Sequence, residues 1–200
     1  MMRDVVGTVL VLCFGSTALW AGTDGFRAFT SEQARRLAVQ EAPRELPDFT
    51  LEDQDGVAFT LADYRGRRLL VDFVYTRCRS ICAALSAGFQ RLSQRIPADD
   101  ATAPVLLSVT LDPDNDTRAK LKAYADRYGA DPKVWRFARV DDRASLAALL
   151  RTFEVVVIAD DSGEFRHNAA LHLVDEGGRL ARIYGYEELD QVGEALGGTR

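Results

Sequence analysis

The sequence predicts an α/β domain with a central mixed sheet flanked by helices, and three observations carry that expectation. Arg68–Tyr75 is a nearly continuous apolar run just ahead of Cys78, as expected for a strand covered on both faces. From Cys82 the spacing becomes helical, with Leu85, Phe89, Leu92 and Ile96 on one stripe that stops at Pro97. Beyond that point strand-like and helix-like stretches alternate, βαβαβ through the middle of the chain and a hairpin plus helix at its end.

Taken in order, residues 1–22 read as a membrane anchor or signal segment. Val5–Ala21 carries no charge, a length between a signal-peptide core and a short membrane span. Leu19 and Trp20 make a poor cleavage site before Ala21, and Trp suits a membrane interface, so a retained anchor is preferred to a cleaved signal. Cys13 follows Leu12, where lipidation would want a small residue. Residues 23–45 form a polar connector with a short helix at Ser31–Val39, for which Ser31 is the expected cap. Pro43 and Pro47 close it, and the domain occupies residues 46–200.

The domain opens with a hairpin extension. Phe49–Asp53 and Val57–Leu61 alternate apolar and polar residues around Gln54-Asp55-Gly56. After the central strand at Arg68–Tyr75 and its helix, Pro104–Thr110 reads as a second central strand. Asp116–Tyr128 is a helix stopped by Gly129. Trp135–Val140 is a strand and Arg143–Phe153 a helix. Val155–Ile158, Ala169–Val174 and Leu180–Tyr184 are strands, the last two joined at Glu176-Gly177-Gly178, and Glu187–Leu196 is the closing helix. This order is that of a thioredoxin-like fold. The cysteine pair falls where the first central strand gives way to its helix, the sheet edge at which open α/β sheets bind ligands.

Composition narrows the function. The net charge of −5 is spread along the chain, which argues against a nucleic-acid partner because that would need a concentrated basic face. Of the three cysteines, one lies in the apolar segment, leaving Cys78 and Cys82 in the domain. A structural disulfide gains most by closing a long loop, so a pair four apart points to redox chemistry or metal binding. A helix N-terminus and the flanking Arg77 and Arg79 are expected to favour thiolates there. Three intervening residues, rather than the two of thioredoxin-type oxidoreductases, leave room for both sulfurs to converge on one ion. Two thiolates and an imidazole suit copper, or zinc if a fourth ligand were present. His167 and His172 look as though they share one strand, where a spacing of five turns them to opposite faces, so only one can join the cysteines.

Four stretches together resemble the Sco/SenC proteins: Leu46-Pro-Asp-Phe, Val71-Asp-Phe-Val-Tyr-Thr-Arg-Cys-x3-Cys82, Ser108-Val-Thr-Leu-Asp-Pro-Asp-Asn-Asp-Thr117 and His167-Asn-Ala-Ala-Leu-His-Leu-Val-Asp175. The resemblance covers about residues 46–196. It implies a copper-binding, thioredoxin-fold assembly factor of cytochrome c oxidase in which Cys78, Cys82 and His167 hold one copper ion. It further implies a copper-receiving partner such as oxidase subunit II with its CuA centre, a thioredoxin-like reductant, and an anchor on the periplasmic face of the inner membrane. The prolines that often follow each cysteine in that family are here Arg79 and Ala83, which removes a restraint but no ligand.

Two other readings differ in class. An envelope thiol–disulfide oxidoreductase would use Cys78 and Cys82 as its redox-active pair and leave His167 dispensable. A thiol peroxidase would want Pro-x-x-x-Thr-x-x-Cys, whereas Val74-Tyr-Thr-Arg precedes Cys78. Asp112–Thr117 reads as a turn whose Asn115 or Asp116 caps the next helix rather than as an ion loop. Asp72 is a carboxylate placed near the thiols, facing either inward or outward.

Overall fold

The computed structural model describes residues 2–78, 81–159 and 165–197. Arg79, and residues 162–164 of the stretch leading to His167, lie outside them. The chain divides into two compact units, Met1–Ala42 and Pro43–Arg200.

The first unit is helical. Helix α1, Met2–Gly22, contains an apolar window, Val5–Gly22, that is long enough to cross a membrane and has none of its residues buried. Helix α2, Ser31–Glu41, runs two residues past the sequence expectation. Its cap is Thr30 rather than Ser31: the Thr30 hydroxyl accepts from the Gln33 amide, so Ser31 is already inside the first turn.

In the second unit β1 (Arg44–Glu45), β2 (Thr50–Asp53), β3 (Ala58–Thr60), β4 (Leu69–Val74), β5 (Val105–Thr110), β6 (Trp135–Arg139), β9 (Ala170–Val174) and β10 (Arg179–Gly185) form one sheet, ordered β1-β10-β9-β4-β5-β6-β2-β3. Strands β4, β5 and β6 are parallel and their neighbours antiparallel. The hairpin extension is β2–β3, turned at Gly56 with φ of +82°, where Asp53 Oδ1 takes the amides of Asp55 and Val57. It is joined to the main sheet through β2–β6. Every residue of β4 and β5 is buried, which is why both read as largely apolar runs, with Asp72, Ser108 and Thr110 the buried polar exceptions.

Helices cover both faces. On one, Phe89 of α3 (Ile81–Ser93) packs on Trp135 of β6, ring centroids 5.7 Å apart, and Tyr124 of α4 (Arg118–Tyr128) on Phe137 at 5.5 Å. Helix α6, Leu189–Gly197, lies against α3, where a β-carbon on Gly88 would come 2.4 Å from Leu189 Cδ1. On the other face Phe153, which closes α5 (Arg143–Thr152), meets Phe73 of β4 at 5.4 Å. Gly129 ends α4 in the left-handed region as expected. The cap of α4 is Thr117, not Asn115 or Asp116, because the Asp116 side chain is engaged elsewhere.

The histidine-bearing segment departs from the expected single strand. Val157–Ala159 (β7) and Phe165–His167 (β8) form a separate antiparallel ribbon, with Val157 opposite His167. Asn168 and Ala169 then lead into β9. The two histidines are therefore on different strands of different sheets, and alternation along one strand is not what separates them.

Candidate metal centre

Both chemical segments leave the sheet at the carboxyl ends of parallel strands. After β4 the chain runs Tyr75-Thr76-Arg77-Cys78, and after β5 it runs Leu111 to Thr117, the two held side by side by Leu111 N donating to Val74 O at 2.8 Å. The acidic loop is a clamp. Asp116, fully buried, accepts from the Thr76 amide at 3.0 Å and from the hydroxyls of Thr76 and Thr110. Asp112 takes the Arg77 guanidinium at 2.7 Å and the Asn115 amide, and these partners hold its carboxyl below the usual range against the opposing effect of burial. Arg77 thus turns its charge on Asp112.

Cys78 and Cys82 are both buried and unbridged, and their sulfurs are hydrogen-bonded. Cys82, in the first turn of α3, is the inner member at 0% exposure against 8% for Cys78. Burial pushes the Cys82 thiol well above the ordinary range, and the neighbouring Cys78 sulfur and Asp72 carboxylate add to this. For Cys82, desolvation outweighs the helix N-terminus on which the expectation of a lowered thiol rested. Asp72 faces inward: it is fully buried, and burial raises its carboxyl to about 7, with the Ser108 hydroxyl pulling the other way. Ser108 in turn accepts from the Trp135 indole at 3.0 Å.

His167 sits on β8 with both ring nitrogens buried and without a hydrogen-bond partner, and desolvation lowers its pKa. A buried imidazole with no acceptor and no donor is uncommon, because buried polar atoms are nearly always paired. Next to it Asn168 pins the ribbon, Oδ1 accepting from Val156 N at 2.7 Å and Nδ2 donating to Glu154 O at 3.0 Å. His172, by contrast, is core. It is 1% exposed and its ring meets Phe73 and Phe153 edge-on at 5.6 and 5.4 Å.

Among the described residues no group of three or more His, Cys, Asp or Glu side chains is gathered into a metal cage. The two sulfurs are together, and His167 is not closed onto them. What links the pair to β8 is Tyr75, a residue the spacing rules passed over. Its side chain neighbours Cys78, its hydroxyl donates to the Phe165 carbonyl at 3.4 Å, and its ring lies edge-on to Phe165 at 5.4 Å. The signal was an aromatic residue carrying a polar tip at the end of a buried strand, three positions before the first cysteine. The donor set fits a soft ion: two unbridged thiols and an imidazole with both nitrogens unclaimed are what Cu(I) accepts.

The chain is similar to several known proteins. The chain is 26% identical over 142 residues to the SCO1 protein homolog of Bacillus subtilis (strain 168), covering 70% of this chain and 73% of that one. Its fold matches BsSco, a member of the Sco family of cytochrome c oxidase assembly proteins in which a disulfide switch is described. The TM-score is 0.67 at 24% identity, over 78% of this chain and 93% of that one. It also matches copper-bound ScoI of Bradyrhizobium japonicum, with a TM-score of 0.59 at 24% identity, over 76% of this chain and 99% of that one. The SCO1/SenC family pattern runs through residues 38–195, from the end of α2 to the last turns of α6, and the chain belongs to that family.

Proposed function

We propose that this protein is a copper carrier of the cell envelope, taking one copper ion as cargo on Cys78, Cys82 and His167. It would pass the ion by ligand exchange to thiols of a receiving protein during cytochrome c oxidase assembly, the CuA site of subunit II being the expected destination. The observation that carries this reading is the unclaimed imidazole of His167, with both nitrogens buried and unbonded, on the strand tied through Tyr75 to two unbridged thiols. Leaving such a group unsatisfied costs about 1–3 kcal/mol, which a bound ion would return. Copper supplies the affinity for soft ligands, and the chain supplies two sulfurs of unequal burial and a neutral imidazole. Relatives named as copper-bound and as oxidase assembly proteins support the same reading. The apolar window Val5–Gly22 supports an anchor in a membrane whose periplasmic face carries the domain, with residues 23–45 as connector. The test is copper stoichiometry of the reduced protein beside His167→Ala. One ion per chain, lost in the variant, is expected; equal binding by the variant overturns the ligand assignment.

A second reading, thiol–disulfide exchange, draws on the asymmetry of the pair. Cys78 is the more exposed residue and Cys82 is fully buried, the order of an attacking and a resolving thiol. Reduction of a partner disulfide by a His167→Ala protein that holds no copper, at the wild-type rate, favours this role, with a thioredoxin-like protein as the reductant.

A further inference from the structure

Helix α1 ends in a reversal that carries three aromatic rings outward. Trp20 in the last turn of α1, and Phe26 and Phe29 beyond it, are 57%, 49% and 64% exposed. Asp24, Gly25 and Phe26 all have positive φ, +49°, +72° and +66°, a conformation that a bulky side chain rarely adopts. They fold the chain back onto the helix, so that a β-carbon on Gly25 would lie 3.3 Å from the Trp20 indole nitrogen. Phe26, the next residue, is thereby kept beside the end of α1.

The reversal also satisfies its own main chain. Gly25 N donates to Trp20 O at 2.9 Å and Phe26 N to Thr23 Oγ1 at 3.0 Å. Arg27 N and Ala28 N both donate to Thr23 O at 2.9 Å, and Phe29 N to Gln33 Oε1 at 2.8 Å. Five consecutive amides are thus bonded within the chain. Rings outside and satisfied amides inside are what a segment needs where water is scarce. In water the same arrangement strains the Phe26 backbone and leaves three rings wet.

The length of the apolar window says where the reversal lies. Val5–Gly22 has 18 residues, a helical rise of ~27 Å against a hydrocarbon core of ~30 Å. Thr23–Phe29 then falls at the boundary between acyl chains and headgroups. Its two charges, Asp24 and Arg27, cancel, and Arg27 is paired with Glu41 at 2.6 Å. The attraction is therefore to the apolar boundary and not to anionic headgroups.

We propose that Trp20, Phe26 and Phe29 form a docking surface for a phospholipid bilayer, seated at its acyl–headgroup boundary. The chain leaves the membrane at Thr30, where α2 is capped, and residues 23–29 of the connector add no slack to the tether. This rests on the reading of Val5–Gly22 as an anchor and is independent of copper.

The experiment reads tryptophan emission of the full chain in phosphatidylcholine vesicles, with and without bromine on the acyl chains. The chain has two tryptophans, and Trp135 is buried in the domain core. Trp20→Phe therefore leaves a constant background, to which Phe26→Trp or Phe29→Trp is added. Brominated lipid is expected to remove about half or more of the added emission at each position. Two results overturn the proposal while the protein still floats with the vesicles and the anchor stands. Unquenched emission at the wavelength of wet indole puts the rings in water. Unquenched emission that is blue-shifted puts them against another protein surface. A chain that does not float with the vesicles overturns the anchor reading and this proposal together.

Discussion

Asp116 reaches back forty positions to Thr76, taking both its amide and its hydroxyl on one buried carboxylate. The loop that delivers Cys78 is therefore anchored from the neighbouring crossover as well as by its own turn, in which Cys78 N donates to Tyr75 O at 3.1 Å. Thr110 supplies a third bond from the end of β5. Asp116→Ala strands these donors in the interior and is expected to lower unfolding free energy by about 3 kcal/mol. Asp116→Asn, which can still accept, should lose roughly half of that. Urea unfolding followed by far-UV circular dichroism measures both.

Asp72 gives the stability curve a specific slope. Its folded pKa, about 7, lies above the ordinary carboxylate value of 3.8, so between those limits the folded state holds a proton that the unfolded state has released. Stability from this group is therefore full below about pH 4, falls as pH rises, and levels off above about pH 7, a total of the order of 4 kcal/mol. Asp112 and Asp175, whose carboxyls are held low, slope the other way. The informative quantity is thus the difference between Asp72→Asn and wild type. It should grow in favour of the variant from pH 4 to 7 and then stay constant; a flat difference means that Asp72 is ionised throughout.

The two sulfurs should react in order. Cys78 at 8% exposure, with Cys82 at 0% and its thiol raised by burial, predicts alkylation of Cys78 by iodoacetamide about tenfold faster or more. Peptide mass spectrometry at limiting reagent reads this directly. A Cys82→Ser protein should accumulate a mixed disulfide on Cys78, whereas Cys78→Ser should accumulate little.

The histidines should separate by the kind of loss they cause. His172→Ala removes a ring packed against Phe73 and Phe153, at an expected cost of about 2–4 kcal/mol, while leaving copper stoichiometry unchanged in the folded protein. His167→Ala should lose copper with little loss of stability, since its nitrogens bond nothing in the copper-free chain. Melting curves paired with metal analysis distinguish the two.

Elements with an unambiguous period were legible from residues alone. Leu69–Val74 and Val105–Thr110 announced themselves as largely apolar strands, and α3 as a stripe ending before Pro97. Capping positions slipped by one because Ser31 and Thr30, or Asp116 and Thr117, are equally good caps by type; tertiary bonds decide which is free to act. The β8 strand was hidden because three residues are too few to show alternation, so His167 and His172 merged into one strand on paper. The Cys78–Cys82 contact was readable from spacing. Tyr75 was not, since its role depends on Phe165, ninety residues away.

The two-residue strand Arg44–Glu45 has a consequence for handling the protein. Strand β10 lies at the margin of the large sheet, and β1 occupies the outer side of its first residues with two charged side chains. A domain cut to begin at Leu46 would bare that margin, and an unshielded strand is a template for a second molecule. Self-association during expression, cured by restoring these two residues, would then be a matter of exposed main-chain valence rather than of misfolding.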